Sequence, residues 1–302
     1  MNFTKMLKLE ESKVRKGISY ALPYQGSKKK ISKKIVEIIK QNFGTYKPIY
    51  DIFGGGGAIT AECLINGLDV HYNDLDHTIT DMFHRVLSTD RDFLKTLIVS
   101  RDEFYKIRDK KTKTIDDELK LLINSFGNNR ASYLYSEEDS YLKYNLALNI
   151  IKNHDVFSGY RKTETYLKNF QKFKDRSYQK TRLQALERLH KIQFLQKLEK
   201  PYTTNLDYKK FSGLENAIVY LDPPYEHTTL KGYTINEFNS QLFYEWAYKM
   251  SKKNIVLISS YEISDNRFAC VYEFKNARST FSSGRYYGKR TEKLFMAKDW
   301  TY

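Results

Sequence analysis

The sequence predicts an α/β fold in which a β/α core is split by a mainly helical insertion. Strand-like and helix-like segments alternate between residues 48 and 88, and the alternation resumes after residue 200. Between them, charged helical segments such as RDFLKTLIV and DDELKLLINSF precede a polar, tyrosine-rich stretch. We therefore expect a core built from residues 1–88 and 200–302, with an inserted domain at residues 89–199.

The first predicted element is a helix that Ser27 caps and that runs to about Phe43. Lysines occupy the exposed side of this helix. Its apolar side consists of four isoleucines, Ile31, Ile35, Ile38 and Ile39.

A β-α-β unit follows this helix. Pro48–Phe53 has the apolar character of a buried strand, Gly54–Gly57 break it, and AITAECLIN is typical of a helix. A second short strand, LDVHY, ends at Asn73 and Asp74, and DHTITDMFHRVL continues as a helix. Two strands joined by a helix within about thirty residues indicate a parallel sheet.

Near the end of the insertion, an apolar residue recurs at every third position. Steps of three residues drift around an α-helix, so we expect a helix whose apolar side winds around its axis. The six positions are Leu183, Leu186, Leu189, Ile192, Leu195 and Leu198.

The second part of the core contains three further predicted strands and one helix. NAIVYLDPPY indicates a strand that ends in a loop, and NSQLFYEWAYKMSK indicates a helix. NIVLISS is typical of another buried strand, and KRTEKLFMAK of a final strand.

The chain carries a large excess of positive charge, with 51 Lys+Arg against 36 Asp+Glu and a net charge of +15. Residues 151–200 alone hold 13 Lys+Arg against 5 Asp+Glu. Such a charge favours a polyanionic partner, and basic residues interleaved with aromatic ones suit nucleic acid. The aromatic residues in this segment are Tyr160, Tyr166, Phe170, Phe173 and Tyr178.

Other classes of protein are disfavoured. No apolar run is long enough to cross a membrane, and the N-terminal residues lack the apolar stretch of a signal peptide. Cys63 and Cys270 are the only cysteines, and the six histidines form no spaced metal pair. We expect a cytoplasmic protein without a metal site.

The glycine-rich turn at Gly54–Gly57 predicts a ligand site. Glycines at a strand-to-helix turn allow the backbone to approach a ligand closely, and an acid about twenty residues further on can bind ribose hydroxyls. Asp74 stands 23 residues after Asp51, at the predicted end of the second strand. The pair indicates an adenosine-containing ligand, with a ligand-free glycine turn as the alternative. Because the spacing is not G-x-G-x-x-G, a pyrophosphate cofactor is less favoured.

The sequence LDPPY at residues 221–225 follows a predicted buried strand. Ligands of open α/β sheets bind beyond the carboxyl ends of strands, where this stretch is expected to lie. Pro223 and Pro224 donate no N–H and hold the chain rigid, and Asp222 offers a further acceptor. Tyr225 adds a flat aromatic face. Two acceptors beside an aromatic ring predict a site for an exocyclic amino group on a planar base.

The motifs DIFGGGG at Asp51–Gly57 and DPPY at Asp222–Tyr225 resemble those of amino-methyltransferases that use S-adenosylmethionine on DNA. Their order, with an insertion between them, is similar to that of the DNA adenine methyltransferase (Dam) family. The resemblance implies a Rossmann-like methyltransferase core with an inserted target-recognition domain. It also implies S-adenosylmethionine as cofactor and double-stranded DNA as partner.

The resemblance assigns roles to individual residues. It implies catalytic roles for Asp222, Pro223, Pro224 and Tyr225. It implies cofactor contacts for Tyr24, Lys28, Phe53, Gly55, Gly57, Asp74 and Asp222, where LPYQGSK is similar to the family's N-terminal aromatic-x-G-x-K element.

The resemblance also implies DNA contacts in two segments. NSFGNNRASYLY is similar to a loop that helps to place the target base, and SSGRYYGKRTEKLF is similar to a closing basic segment. The implied residues are Asn128, Asn129, Arg130, Tyr133, Arg285, Lys289 and Arg290.

Two departures from the family pattern stand out. Tyr24 replaces a frequent tryptophan, and Arg130 stands where glycine is usual. The amino-acid sequence does not specify which DNA sequence is recognised or whether a restriction enzyme accompanies the protein.

The predicted reaction is methyl transfer to the N6 amino group of an adenine that is flipped out of the duplex. Alternatives are a cytosine-N4 methyltransferase, an RNA or protein amino-methyltransferase, or an inactive DNA-binding protein of the same fold. We expect a monomer or a weak dimer.

Overall fold

The structure is a computed structural model that describes residues 6–24, 26–172, 182–226, 238–278 and 291–300. The contacts divide the chain into two compact units. The core unit comprises Met1–Ser19, Gly26–Thr80 and Glu199–Tyr302. The inserted unit comprises Tyr20–Gln25 and Asp81–Leu198.

The described part of the core unit contains one seven-stranded sheet. Its strands are β1 (Ile49–Asp51), β2 (Val70–Asn73), β3 (Tyr202–Thr204), β4 (Ile218–Leu221), β5 (Ile255–Ser260), β6 (Phe268–Arg278) and β7 (Thr291–Ala297). Their order is β3-β2-β1-β4-β5-β7-β6. The first five strands in this order are parallel, and β7 runs antiparallel to both of its neighbours. This is the doubly wound, Rossmann-like arrangement that the sequence predicts.

Helices cover both faces of the sheet. They are α1 (Ser32–Phe43), α2 (Ala58–Ile65) and α10 (Ser240–Met250), while α3 (His77–Leu87) begins in the core unit. Residues of α1 and α2 share a hydrophobic cluster with one sheet face, and residues of α10 share a second cluster with the other. Because β4 and β5 are buried along their whole length, they appear in the sequence as uninterrupted apolar runs.

Several sequence predictions for the core are confirmed, and others need correction. The predicted strands at residues 48–53, 68–72 and 217–221 appear as β1, β2 and β4. Two strands, β3 and β6, were not predicted. The predicted helix cap is wrong in detail, because the Ser27 side chain accepts a hydrogen bond from Lys29 N and caps a 3₁₀ turn. The α-helix itself starts at Ser32, after Ile31.

Helices dominate the described part of the inserted unit. They are α4 (Arg91–Lys95), α5 (Arg101–Arg108), α6 (Ile115–Asn124), α7 (Glu137–Asn153), α8 (Glu164–Lys172) and α9 (Gln184–Gln193). Each of α4, α5, α6 and α7 begins at an Asp, Ser or Thr whose side chain accepts a hydrogen bond from the first turn. A hydrophobic cluster in this unit includes Phe104, Leu121 and Tyr133.

The apolar repeat of three near residue 190 spans a change of helix type. The helix α9 ends at Gln193 and continues as a 3₁₀ helix over Phe194–Lys197. A 3₁₀ helix has three residues per turn, so this change of helix type stops the drift of the apolar side. The positions from Leu183 to Leu195 in the repeat are buried, and of these only Leu195 lies in the 3₁₀ segment.

Gly54 provides a test of the packing between the glycine turn and β2. A Cβ at Gly54 would lie 2.5 Å from Tyr72 Cε2 and 3.2 Å from the Asn73 carbonyl oxygen. We expect Gly54→Ala to lower the free energy of unfolding by about 1–3 kcal/mol, because a buried ring would have to move. Gly213→Ala, where a Cβ meets nothing within 4 Å, is the matched control. Urea denaturation of both variants measures the effect, and equal stabilities would contradict this packing.

Candidate active site

Several polar side chains lie at the carboxyl edge of the parallel strands. Asp51 ends β1, Asp74 directly follows β2, and Asp222 directly follows β4. Because β7 is antiparallel, Glu292 near its start lies at the same edge. The strand order reverses between β1 and β4, which is the position where open α/β sheets form a ligand crevice.

The glycine turn after β1 is tied to the end of β2. The Gly54 N–H donates to the Asn73 carbonyl at 2.9 Å, and the Gly55 N–H donates to Asp74 Oδ2 at 2.8 Å. The hydroxyl of Tyr72 donates to the Gly55 carbonyl at 2.6 Å. Gly55 has φ of 48° and Gly57 has φ of 73°, a conformation that favours glycine. These contacts hold the turn and Asp74 as one unit.

Asp51 is buried beneath the turn. Its Oδ2 accepts hydrogen bonds from the Thr60 N–H at 3.1 Å and from Thr60 Oγ1 at 2.7 Å. Its Oδ1 is also buried, and no other described atom forms a hydrogen bond with it. Burial raises the pKa of Asp51 to about 7; the Thr60 hydrogen bonds oppose this rise, and nearby Asp222 and Asp74 add to it.

Asp222 forms an ion pair with Lys28. Its Oδ2 lies 2.7 Å from Lys28 Nζ, and its Oδ1 accepts a hydrogen bond from the Tyr225 hydroxyl at 3.1 Å. Burial raises the pKa of Asp222 to about 6, Lys28 opposes the rise and Glu292 adds to it. Burial likewise raises the pKa of Asp74 to about 6. Burial therefore makes the charged forms of Asp222 and Asp74 more costly than they would be in water.

Tyr225 is held on several sides. Its hydroxyl lies within hydrogen-bond distance of both Glu292 Oε1 and Asp222 Oδ1, and its single proton is shared between these two acceptors. The ring meets Tyr261 edge-on with 4.8 Å between centroids, and Lys28 Nζ lies 5.0 Å above the ring centroid. The aromatic ring is thus fixed beside the Asp222 carboxylate.

Comparison with known protein families identifies the chain. The family model for the D12 class N6 adenine-specific DNA methyltransferases matches residues 24–283, which is most of the chain. The chain belongs to this family. It is therefore an S-adenosylmethionine-dependent methyltransferase.

Similar solved structures include two of the rRNA methyltransferase aviRa from Streptomyces viridochromogenes. Each is 13% identical over 95% of this chain and 92% of the other, with TM-scores of 0.35 and 0.37. No curated protein matches the chain.

The residues at the carboxyl edge of the methyltransferase fit its cofactor. Four carboxyl groups lie there with one lysine, at Asp51, Asp74, Asp222, Glu292 and Lys28. This excess of acid favours a ligand that carries a sulfonium and an ammonium group. The unpartnered Oδ1 of Asp51 also shows that the site has acceptor capacity left for a ligand. Asp74 and the glycine turn would hold the adenosine part, and Lys28 suits the cofactor's carboxylate.

Phe53 forms an aromatic wall beside the glycine turn. Its ring lies 5.9 Å from Tyr208 and 5.7 Å from Phe243, measured between centroids. Such rings suit the flat adenine of the cofactor.

The structure brings some of the predicted site residues together. Lys28, Gly55, Asp74, Asp222 and Tyr225 meet at the carboxyl edge through the contacts above. Tyr24 groups with the inserted unit, so its cofactor contact stays a prediction. Three predicted DNA-binding residues, Arg285, Lys289 and Arg290, lie outside the described residues.

The predicted base-placing loop lies in the inserted unit. Asn129 is exposed, and its Oδ1 accepts hydrogen bonds from the backbone of the two-residue segment 131–132. Asn128 has φ of 61° and Arg130 has φ of 58°, and Arg130 Nη1 lies 3.1 Å from Glu118.

Tyr133 is buried in the cluster with Phe104, and its hydroxyl donates to the Val99 carbonyl at 2.9 Å. These contacts support the loop from inside the unit. The DNA contact of Tyr133 stays a prediction.

Sequence reasoning missed three residues around Tyr225. Glu292 and Tyr261 contact Tyr225, and Ser259 donates a hydrogen bond to Glu292. A signal for Glu292 exists, because alternation along β7 places it on the same face as buried Leu294 and Met296. An acid on the inward face of a strand indicates a function.

The described residues offer neither a metal site nor a membrane span. In those residues, no group of three His, Cys, Asp or Glu side chains could hold a metal ion. No helix of the described ranges has the length and apolar character required to span a membrane.

The raised pKa of Asp51 predicts that the stability of the protein depends on pH. Its pKa is raised in the folded state to about 7 from an ordinary 3.8, so folding favours the protonated form. This contribution to stability is fully present below about pH 4 and is lost as the pH rises through about 7. We expect the wild type to lose up to about 1.4 kcal/mol more per pH unit in this window than Asp51→Asn.

Urea denaturation between pH 4 and 8 measures this difference. Asp69→Asn is the control, because Asp69 is exposed and precedes β2 at the opposite edge of the sheet. Parallel pH profiles for the wild type and Asp51→Asn would contradict the buried, neutral Asp51.

Proposed function

We propose that this methyltransferase transfers the methyl group of S-adenosylmethionine to the N6 amino group of adenine in double-stranded DNA. The observation that carries the proposal is the pairing of Asp222 with the fixed Tyr225 ring beside the glycine turn. This arrangement offers acceptors and a stacking face together, and the printed name of the family supports adenine in DNA. The order of the motifs further supports a relationship to the Dam family.

The target atom lies inside the duplex, so the base must first leave the helix. Flipping costs a few kcal/mol of lost stacking and pairing. Tyr225 recovers part of this cost by stacking on the flipped base.

Asp222 and the Pro223 carbonyl accept the two hydrogens of the amino group. These hydrogen bonds direct the nitrogen lone pair away from the ring and towards the methyl group. The bound cofactor supplies an electrophilic methyl on a sulfonium. The N–C bond forms as the C–S bond breaks, and the nitrogen then releases a proton to Asp222. Positioning and electrostatic stabilisation of the developing positive charge supply the acceleration.

The inserted unit is the proposed DNA-reading part. Residues 151–200 carry 13 Lys+Arg against 5 Asp+Glu, which suits contacts with phosphates. We infer that the loop with Asn128, Asn129 and Arg130 helps to place the target base, with Arg130 bound to a phosphate of the DNA. The residues at 285, 289 and 290 add basic groups from the core part of the chain.

Removal of the Asp222 charge tests the proposed reaction. We expect Asp222→Asn to lower kcat for methyl transfer into duplex DNA by about 10²–10³-fold, because a neutral amide replaces a charged, preorganised acceptor and cannot take up the proton. The substitution is isosteric, and stability and DNA affinity should change little. Asp69→Asn at the opposite edge is the matched control and should keep wild-type kcat. Transfer of labelled methyl groups into DNA measures the rate, and near-normal turnover of Asp222→Asn would falsify the mechanism.

Arg130 tests the proposed DNA contact of the inserted unit. We expect Arg130→Ala to weaken binding to duplexes of any sequence and to reduce the salt dependence of log Kd by about one unit, as loss of one phosphate contact requires. Lys253→Ala also removes one positive charge, from a residue shortly before β5, and should leave both quantities unchanged. Fluorescence anisotropy at several salt concentrations measures both variants. An unchanged salt slope for Arg130→Ala would exclude this contact.

A further inference from the structure

Glu292 is a buried carboxylate that the proposed reaction does not use. Its side chain is 9% exposed, and Oε1 accepts a hydrogen bond from Ser259 Oγ at 2.8 Å. The same oxygen hydrogen-bonds to the Tyr225 hydroxyl. We propose that Glu292 is a positioning residue for methyl transfer, which acts through this hydroxyl to fix the ring on which the base stacks. The inference rests on the proposed function.

The charge of Glu292 has no full ion-pair partner among the described residues. Lys28 Nζ lies 3.9 Å from Glu292 Oε1 but only 2.7 Å from Asp222 Oδ2. One ammonium group therefore serves two carboxylates. Burial of a second acid is costly, and an uncharged side chain at position 292 would avoid that cost. A charged acceptor, however, forms a stronger hydrogen bond with a phenol than a neutral one does.

The hydroxyl is the point at which Tyr225 can be held. The carboxylates of Asp222 and Glu292 flank it and share its one proton as acceptors. Tyr261 meets the ring at an interplanar angle of 83°, which limits its movement at the edge. Fixing both the hydroxyl and the edge fixes the ring plane. A stacked base inherits this plane, and small errors in its position are costly for in-line transfer.

The charge of Glu292 also acts on Asp222. It raises the pKa of Asp222, which burial has already raised and which Lys28 opposes. Replacement of Glu292 by glutamine should therefore shift the acid limb of the pH–rate profile to lower pH. A purely structural role would leave this limb in place. Other described groups that face Asp222 are unchanged by the substitution, namely Lys28, Asp51, Asp74, Tyr220 and Tyr225.

A double-mutant cycle tests the proposal. We expect Glu292→Gln and Tyr225→Phe each to lower kcat on duplex DNA about tenfold or more, with little change in KM. Tyr225→Phe keeps the ring and removes only the hydroxyl. If Glu292 acts through that hydroxyl, the double variant should be no slower than the slower single variant. Glu273→Gln, an exposed acid on the neighbouring strand β6, is the matched control.

Three outcomes would overturn the proposal. They are losses that multiply in the double variant, an unchanged kcat of Glu292→Gln, and an acid limb that does not move. If Glu292→Gln fails to fold, the Tyr225→Phe variant alone tests the proposal. A wild-type kcat of Tyr225→Phe would exclude an anchoring role for the hydroxyl. Calorimetric affinity for S-adenosylhomocysteine should stay within about twofold of wild type in Tyr225→Phe, which removes no charge from the site.

Failure of the proposed function would appear differently. In that case the wild type itself would transfer no methyl group to duplex DNA. An active wild type with an equally active Glu292→Gln variant overturns the positioning role alone.

Discussion

The parallel pairing of β1 with β4 is the constraint on which the site depends. Asp51 pairs in register with Tyr220, and the Ile52 N–H donates to the Tyr220 carbonyl at 3.2 Å. This register brings the glycine turn after β1 next to the DPPY stretch after β4. Both strands are buried between helices, so a slip of register would expose apolar side chains and is strongly disfavoured. Core packing thereby sets the geometry of the candidate site.

The site is built at a cost to stability. Asp51, Asp74 and Asp222 all have pKa values raised by burial, and Lys28 and the glycine-turn N–H groups offset only part of this cost. A core optimised for stability alone would hold apolar or paired residues here. Acidic groups that are buried without full compensation are typical of functional sites, where a ligand supplies the missing partner. A cofactor with two positive groups meets that requirement.

Much of the core could be predicted from sequence because its signals are local. Buried strands appear as apolar runs, and four successive glycines mark the turn between β1 and α2. The strand β3 has only three residues and is half-buried, so it gives no comparable signal. The first turn after Ser27 shows a further limit, since a serine cap does not distinguish a 3₁₀ turn from an α-helix.

The site could be predicted only where motifs carry it. Asp222, Tyr225 and the glycines are recognisable from short motifs, and Asp74 from its spacing after Asp51. The hydrogen bond from the Gly55 N–H to Asp74 depends on strand pairing, which spacing does not reveal. Glu292 lies 67 residues beyond Tyr225 in sequence and reaches it only because β7 is antiparallel. Such a contact belongs to the topology rather than to any local pattern.

The reaction proposed for this edge of the sheet is methylation of the amino group of adenine in DNA. The most direct measurement is to incubate the wild-type protein with duplex DNA and S-adenosylmethionine carrying an isotopically labelled methyl group, then digest the DNA to nucleosides. Mass spectrometry identifies the nucleoside that carries the label. Our account predicts the label on N6-methyladenine. Label on N4-methylcytosine, or transfer to RNA with none to DNA, would contradict it.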